Sequence, residues 1–214
     1  MDFITSEYYI WFLPIVFLLT FSIGNRQRRR QIGILMVSSY VFFWMASGWH
    51  MLLLLTSTLV DWTAGKNIHQ SDDQQVRKRW LIGSLTINLG LLATFKYLDF
   101  LIESWNWASL RIAGAPEIDT FGLLLPVGIS FYTFQTMSYT IDIYRGKNKP
   151  YDDLLAFSCY AAFFPQLVAG PIVRPEHFRN QVESALSPNP TQFRLGLTLI
   201  AYGLAKKLVI ADNV

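Results

Sequence analysis

Charged side chains are scarce in this sequence of 214 residues: Asp, Glu, Lys and Arg together make up 15% of it, against about 25% in an ordinary globular domain. Long runs without charge result, and a helix of about 18 or more apolar residues can cross the roughly 30 Å hydrocarbon core of a bilayer. Buried helices of a soluble protein would carry a polar face at helical spacing, whereas these runs are apolar on all sides. An integral membrane protein is therefore predicted. The runs are 8–24, 32–60, 80–95, 121–141 and 154–173, and a further apolar stretch covers 195–205.

Cysteine and histidine are also rare. The one cysteine, Cys159, excludes an internal disulfide and lies in an apolar run, where we expect a small buried hydrophobic side chain. His50, His69 and His177 are the only histidines, and none stands at metal-ligand spacing from another His or Cys. We therefore interpret all three as solvated loop residues. The sequence predicts neither a metal site nor a self-contained catalytic centre.

Basic residues are concentrated in three loops between the apolar runs: 25–31, 65–79 and 142–149. An excess of Lys and Arg marks the cytoplasmic side of a membrane protein, so these loops are expected inside and the N-terminus outside. The same placement explains the net charge of +3 without a nucleic-acid partner. Residues 1–7 hold no basic residue, so the first span is expected to be retained rather than cleaved as a signal peptide. We treat 1–214 as a single membrane domain.

This topology requires the run 32–60 to cross the membrane twice. Two full crossings need about 40 residues, and the run has only 29. Ser47 and Gly48 offer a natural break between the two halves, with Trp44 and Trp49 on either side. The sequence predicts a short hairpin here, either in a thin bilayer or incompletely spanning.

Prolines and glycines interrupt the run 154–173 at Pro165, Gly170 and Pro171. Proline removes a backbone donor from a helix and clashes with the preceding turn. Irregular backbone at membrane depth requires a cavity or protein cover. We therefore predict a broken or re-entrant segment over 163–173 beside a cavity, with an ordinary proline-kinked helix as the alternative. Gln166 lies within it and must find polar partners there.

Few charged groups fall inside or beside the apolar runs, and ionisable groups at membrane depth are functional candidates. Lys96 and Asp99 are spaced to pair on one helix face. Asp61 is expected at the membrane interface, at the end of the third span. Asp142 and Arg145 are spaced for a local salt bridge at the cytoplasmic end of the fifth span.

Two blocks of the sequence resemble the signature of the membrane-bound O-acyltransferase family, in particular its bacterial alginate O-acetylase branch. The first is LLPVGISFYTFQ at 124–135, continued by YTIDIYRG at 139–146, and the second is AFFPQLVAGPI at 162–172. Weaker similarities lie at 57–61, 88–92, 95–97 and 206–213. The resemblance covers nearly the whole chain.

This resemblance implies an all-α fold of about six or seven multi-pass transmembrane helices, one of them broken or re-entrant, forming part of a helix ring around a tunnel. It implies a bacterial cytoplasmic membrane location and an acyl thioester donor, acetyl-CoA or a carrier-bound thioester, with no resident cofactor. The acceptor would be a hydroxyl of an extracytoplasmic polysaccharide, alginate first, with peptidoglycan or teichoic acid behind it. Membrane lipids and an extracytoplasmic acetyltransferase are the implied partners. The tunnel-lining candidates are Pro165, Gln166, Gly170, Pro171, Asp142 and Arg145.

In the family pattern a tunnel histidine acts as general base, in a Trp-His block downstream of the motif that matches 211–213. The sequence ends at Val214, so we expect the chain to be an N-terminal portion with no catalytic residue of its own and no activity alone. A non-catalytic membrane scaffold is one alternative. A transporter is another alternative, but it would be expected to have a pair of broken helices, one in each inverted half. The sequence predicts only one broken helix.

Overall fold

The computed structural model describes residues 7–23, 27–109, 117–167, 170–183 and 189–211, and within these ranges it is helical with no strand. All nine helices below are therefore elements of these ranges. Their bounds are α1 Leu13–Ser22, α2 Arg28–Ser47, α3 Met51–Gln70, α4 Gln74–Ser109, α5 Ile129–Tyr144, α6 Leu154–Ala162, α7 Phe164–Leu167, α8 Pro175–Glu183 and α9 Pro190–Ala205. A π-helical turn, Tyr8–Phe12, precedes α1, and another, Lys206–Ala211, follows α9.

Two stretches are long and apolar enough to cross a membrane, Arg28–Gln70 and Gln74–Ser109. The first is a hairpin, because Gly48 takes a φ of +58° and the 3-10 turn Gly48–His50 separates α2 from α3. The Tyr40 and Thr58 hydroxyls, 3.5 Å apart, join its two arms. The predicted hairpin turn is confirmed, while the shortness of the membrane-crossing part stays a prediction, because the helices are longer than the apolar run. Each arm has 20 residues, about 30 Å of helix, because both extend beyond the apolar run.

The fourth and fifth runs differ from their predicted extents. Helix α4 has 36 residues, or about 54 Å, so it continues well past the predicted end at 95. Helix α5 begins at Ile129 rather than near 121, because Pro126 and a left-handed Gly128 (φ +71°) precede it. Residues 117–126 are not helical.

The side chain of Asp99 holds that non-helical segment against α4. Its carboxylate accepts backbone N–H groups from Phe121 at 3.0 Å and Leu123 at 2.7 Å. A side chain that satisfies backbone donors in this way competes with helix formation. The predicted Lys96–Asp99 pairing is therefore wrong, and the Lys96 ammonium lies 5.3 Å from the Tyr97 ring instead.

Helices α3, α4 and α5 pack against one another, and α2 packs on α6. Helix α3 approaches α5 closely at Gly65. A Cβ atom there would lie 2.9 Å from both the Tyr139 ring and Ile143 Cδ1. Only glycine therefore permits this helix separation.

The predicted basic loops lie at one end of the helix assembly. Arg77, at the start of α4, donates to the carbonyl of Tyr144 at 2.9 Å. Arg29, at the start of α2, pairs with Asp153 at 3.4 Å. We call this the basic end. The hairpin lies at the opposite end, where Ser47 Oγ accepts the N–H of Val127 at 3.2 Å.

Candidate functional site

Buried polar side chains from three helices meet inside the α3–α4–α5 packing. Each helix contributes two residues four apart, so each pair lies on one helix face. All six are at most 2% exposed, and Asp61 is fully buried. We call this group the polar core: Ser57, Asp61, Ser84, Asn88, Thr136 and Thr140.

The Asp61 carboxylate is the centre of the polar core. The Asn88 amide nitrogen donates to both of its oxygens, at 2.9 and 3.0 Å. The Ser84 hydroxyl also donates to it, and the Thr140 hydroxyl lies 3.2 Å from Oδ1. Ser57 donates in turn to the amide oxygen of Asn88 at 2.5 Å. A buried carboxyl group is costly unless it is hydrogen-bonded, so this network fixes how the three helices pack.

The expectation that Asp61 ends its helical span is wrong, and its location at the membrane interface stays a prediction. Helix α3 continues to Gln70, so Asp61 lies near its middle rather than at its end. The sequence does contain a pattern that indicates this buried polar group. The pairs Ser57/Asp61, Ser84/Asn88 and Thr136/Thr140 each place two small polar residues at a spacing of four on an apolar helix.

The predicted break near Pro165 is confirmed. Helix α6 ends at Ala162, and Phe163 leaves the helical region with ψ at 106° before the short helix α7 begins. Pro165 lies in the first turn of α7, where the backbone N–H that proline lacks would have no partner within the helix in any case. The kinked-helix alternative is excluded because the chain leaves the helical conformation at Phe163. Val168 and Ala169, inside the predicted segment, lie outside the described residues.

Gln166 and Gly170 form the tightest part of this segment. The N–H of Gly170 donates to the Gln166 carbonyl at 2.9 Å, and a Cβ on Gly170 would lie only 2.6 Å from Gln166 Cα. The side-chain oxygen of Gln166 is buried without a hydrogen-bond partner among the described residues. Pro165 and Pro171 are exposed. Gln166 thus carries an unused polar atom, which keeps it a candidate for contact with a substrate.

Asp142 and Arg145 lie at the end of α5, at the basic end. The main-chain carbonyl of Asp142 accepts N–H groups from Lys147 at 2.9 Å and Asn148 at 3.4 Å. Its carboxylate lies 3.5 Å from the Asn148 amide nitrogen. Arg145 is exposed, and no ion pair joins it to Asp142 in the described part of the chain. Asp142 closes the loop after α5, so the predicted salt bridge is wrong.

The three histidines have different surroundings. His69 and His177 are exposed, as predicted, but His50 is only 6% exposed. Its ring stacks on Trp49 at 4.1 Å and meets the edge of Phe95 at 5.8 Å. Since Nδ1 lies 2.7 Å from the Ser47 carbonyl, which only accepts, Nδ1 carries a proton. The prediction of a solvated His50 is wrong, because the hairpin turn folds the ring inward. Cys159 is buried, as predicted.

Named proteins of other bacteria resemble most or all of this chain. A probable alginate O-acetylase AlgI of Pseudomonas aeruginosa is 34% identical, aligned over 100% of this chain and 40% of its own length. The corresponding protein of Azotobacter vinelandii is 33% identical over 100% of this chain and 42% of its own. A peptidoglycan O-acetyltransferase of Helicobacter pylori is 30% identical over 84% of this chain and 38% of its own. No family model matches the chain, and no solved structure matches it significantly.

The chain thus spans about two fifths of the length of these relatives. The aligned region includes the signature blocks on α5 and on the broken α6–α7 segment, because the alignments cover the whole chain. The resemblance found in the motifs is confirmed: the chain is a relative of the alginate O-acetylases, within the membrane-bound O-acyltransferase family.

Proposed function

We propose that this chain is part of a membrane-bound O-acetyltransferase that modifies an extracytoplasmic polysaccharide. The donor is a cytoplasmic acyl thioester, acetyl-CoA or a carrier-bound acetyl group, and the acceptor is a sugar hydroxyl. One observation carries the proposal: four relatives named alginate O-acetylase match all of this chain at about 33% identity. Alginate is therefore the first acceptor to test, and peptidoglycan is the second because of the Helicobacter relative. A transporter is not favoured by any of these relatives.

In this proposal the helices form part of a ring around a tunnel that joins donor and acceptor. The broken α6–α7 segment supplies the wall, with Pro165, Gln166, Gly170 and Pro171 as its lining candidates. Asp142 and Arg145 mark the basic end, where a cytoplasmic donor would enter. The polar core holds α3, α4 and α5 in one arrangement, as the hydrogen bonds to Asp61 support.

Acetyl transfer needs a base that removes the proton of the acceptor hydroxyl. The hydroxyl oxygen then attacks the thioester carbonyl, an ester bond forms, and the thiol leaves with a proton. A positioned base contributes about 10² to 10⁴ in rate. His69 and His177 are exposed, and His50 is enclosed by aromatic rings. We therefore assign the base to a histidine outside 1–214.

The same proposal sets the chain in the bacterial cytoplasmic membrane as a multi-pass protein with its N-terminus outside. Convergence of the basic loops at one end supports a common side for them. An acetyltransferase outside the membrane would act as partner. The competing proposal is a scaffold that spans the membrane without catalysis.

Complementation in a bacterium that lacks its own alginate O-acetylase membrane protein tests the proposal. Two proteins are compared: residues 1–214 alone, and a hybrid in which they replace the matching part of the Pseudomonas aeruginosa relative. We expect the hybrid to restore ester-linked acetate on alginate and residues 1–214 alone to restore none. Activity of 1–214 that disappears on substitution of His50, His69 or His177 would contradict the assignment of the base. A well-inserted hybrid that acetylates neither alginate nor peptidoglycan would favour the scaffold.

A further inference from the structure

A cleft of about 400 Å³ opens at the basic end between the start of α2, the loop before α6, and α8. Its volume falls within the roughly 300–1,000 Å³ that small-molecule sites occupy. Three arginines line it: Arg28 and Arg29 from α2 and Arg179 from α8. Among the described residues, Asp152 and Asp153 are the acidic side chains that line it.

Two of these guanidinium groups are held by main-chain carbonyls and an aromatic ring. Arg28 Nε donates to the Val182 carbonyl at 2.8 Å. Arg179 Nη2 donates to the Lys149 carbonyl at 2.6 Å, and its guanidinium carbon lies 4.5 Å from the Tyr151 ring centroid. A guanidinium has five N–H donors in a rigid fork, so one anchored edge fixes the orientation of the others. The cleft is therefore a preformed arrangement of cations.

Tyr151 forms the buried floor of the cleft. Its hydroxyl donates to the Pro175 carbonyl at 3.0 Å. Burial raises the pKa of Tyr151, and the guanidinium of Arg179 lowers it to a smaller extent. The phenol therefore stays neutral and adds no negative charge to the cleft.

The arginines are not explained by helix stability or by membrane topology alone. Cations at a helix N-terminus interact unfavourably with the helix dipole, and Arg28 and Arg29 occupy that position in α2. Topology requires basic residues on one side of the membrane, but not their convergence on one cleft. Arg179 reaches it from a helix about 150 residues further along the chain.

Asp153 offsets part of the positive charge of the arginines and also caps helix α6. One of its oxygens lies 3.4 Å from Arg29 Nε. Its Oδ1 also accepts the N–H of Leu155 at 3.0 Å, which caps α6. Asparagine caps helices about as well as aspartate, so Asp153→Asn removes the competing charge and keeps the cap.

We propose that this cleft binds a phosphate group, through Arg28 and Arg179 with Arg29 at its rim. Planar guanidinium groups bind phosphate oxygens in pairs, with geometry that lysine does not reproduce. This inference rests on the proposed function for its preferred source, the nucleotide phosphates of a coenzyme A thioester. An anionic lipid headgroup presents the same chemistry at the same end of the protein.

Binding to purified protein in nanodiscs tests the site without any transferase assay. The probes are adenosine 3′,5′-bisphosphate in zwitterionic nanodiscs, and phosphatidylglycerol incorporated into the nanodisc. Arg28→Gln and Arg179→Gln should each weaken binding about tenfold or more, since a hydrogen bond to a charged group contributes about 1.5–3 kcal/mol. Arg30→Gln is the matched control, because Arg30 follows on the same helix and does not line the cleft. Asp153→Asn should strengthen binding.

The outcomes separate the sources of phosphate. Loss of nucleotide binding in the two cleft variants alone assigns the site to the acyl donor. Loss of phosphatidylglycerol binding in those variants, with no nucleotide binding by the unsubstituted protein, assigns it to a lipid headgroup. Equal weakening by Arg30→Gln would show general charge attraction and overturn the proposal, and so would the absence of binding to either probe. The hybrid's transferase activity enters none of these results, so this inference and the proposed function fail independently.

Discussion

The amide nitrogen of Asn88 on α4 donates to both carboxylate oxygens of Asp61 on α3, at 2.9 and 3.0 Å. The two residues are 27 positions apart in the sequence, and both are at most 1% exposed to solvent. The same amide turns its oxygen to Ser57, so one side chain satisfies groups on two turns of α3. A shift of α4 along α3 would break these bonds together, so this pair of residues fixes the register in which the two helices pack.

Asp61→Ala should lower the stability and the amount of membrane-inserted protein. The substitution removes the acceptor of the Ser84 hydroxyl, and it leaves the Asn88 amide and the Thr140 hydroxyl with only the main-chain carbonyls of Ser84 and Thr136. A buried group left unsatisfied costs about 1–3 kcal/mol. Asp61→Asn retains one carbonyl oxygen and should be less harmful. Thermal unfolding in detergent and protein level in the membrane fraction measure the effect. The exposed Asp72→Ala is the control, and an Asp61→Ala protein that melts like it would contradict the role of the network.

Gly65→Ala should destabilise the protein by about 1–3 kcal/mol, the usual effect of overpacking. Its methyl group would lie 2.9 Å from the buried Tyr139 ring, which cannot move aside freely. Gly83→Ala is the matched control, since, apart from its own helix backbone and chain neighbours, no heavy atom of the described residues lies within 4 Å of the added carbon. It should be neutral or stabilising by about 0.5–1 kcal/mol, because alanine favours a helix over glycine. Measured side by side, the melting temperature should fall for Gly65→Ala and stay level or rise for Gly83→Ala. An unchanged melting temperature for Gly65→Ala would contradict the predicted close packing.

Gln166→Leu should lower acetyl transfer by the hybrid while leaving its insertion and melting temperature nearly unchanged. The side-chain oxygen is buried and accepts no hydrogen bond from the described residues. Its removal therefore leaves none of their hydrogen-bond donors without an acceptor. Leucine is of similar size and keeps the segment filled. Acetate on the polysaccharide and protein level are measured together. Normal transfer at normal level would remove Gln166 from the tunnel wall, and a parallel fall of both would show a structural role.

Cysteine labelling in a Cys159→Ser background should place the basic end inside the cell and the hairpin turn outside. Arg30→Cys tests the basic end and Trp49→Cys tests the turn, since both residues are exposed. The expectation follows from the excess of Lys and Arg in the loops at that end. A membrane-impermeant reagent applied to intact spheroplasts should modify position 49 alone. Modification of position 30 alone would invert the topology.

The sequence predicted the features that depend on composition and local chemistry. Scarce charge and long apolar runs indicated membrane helices, and the hairpin turn at Gly48 and the break before Pro165 were both visible in it. The signature blocks predicted the family that the relatives confirm. Such properties are local, because chain flexibility, missing backbone donors and hydropathy act over a few residues.

Only the tertiary structure decided which polar groups meet. Asp61 was expected at the membrane interface and His50 in a solvated loop. Both side chains are buried in the helix packing, because helix length and turn geometry set where a side chain points. Asp99 binds the backbone of a loop instead of pairing with Lys96, since N–H donors 22 and 24 residues away reach its carboxylate. Arg28 and Arg179 share one cleft for the same reason. The sequence by itself determined that this chain consists of apolar helices, while packing determined their polar contacts, because contacts between distant residues depend on how the helices are arranged in space.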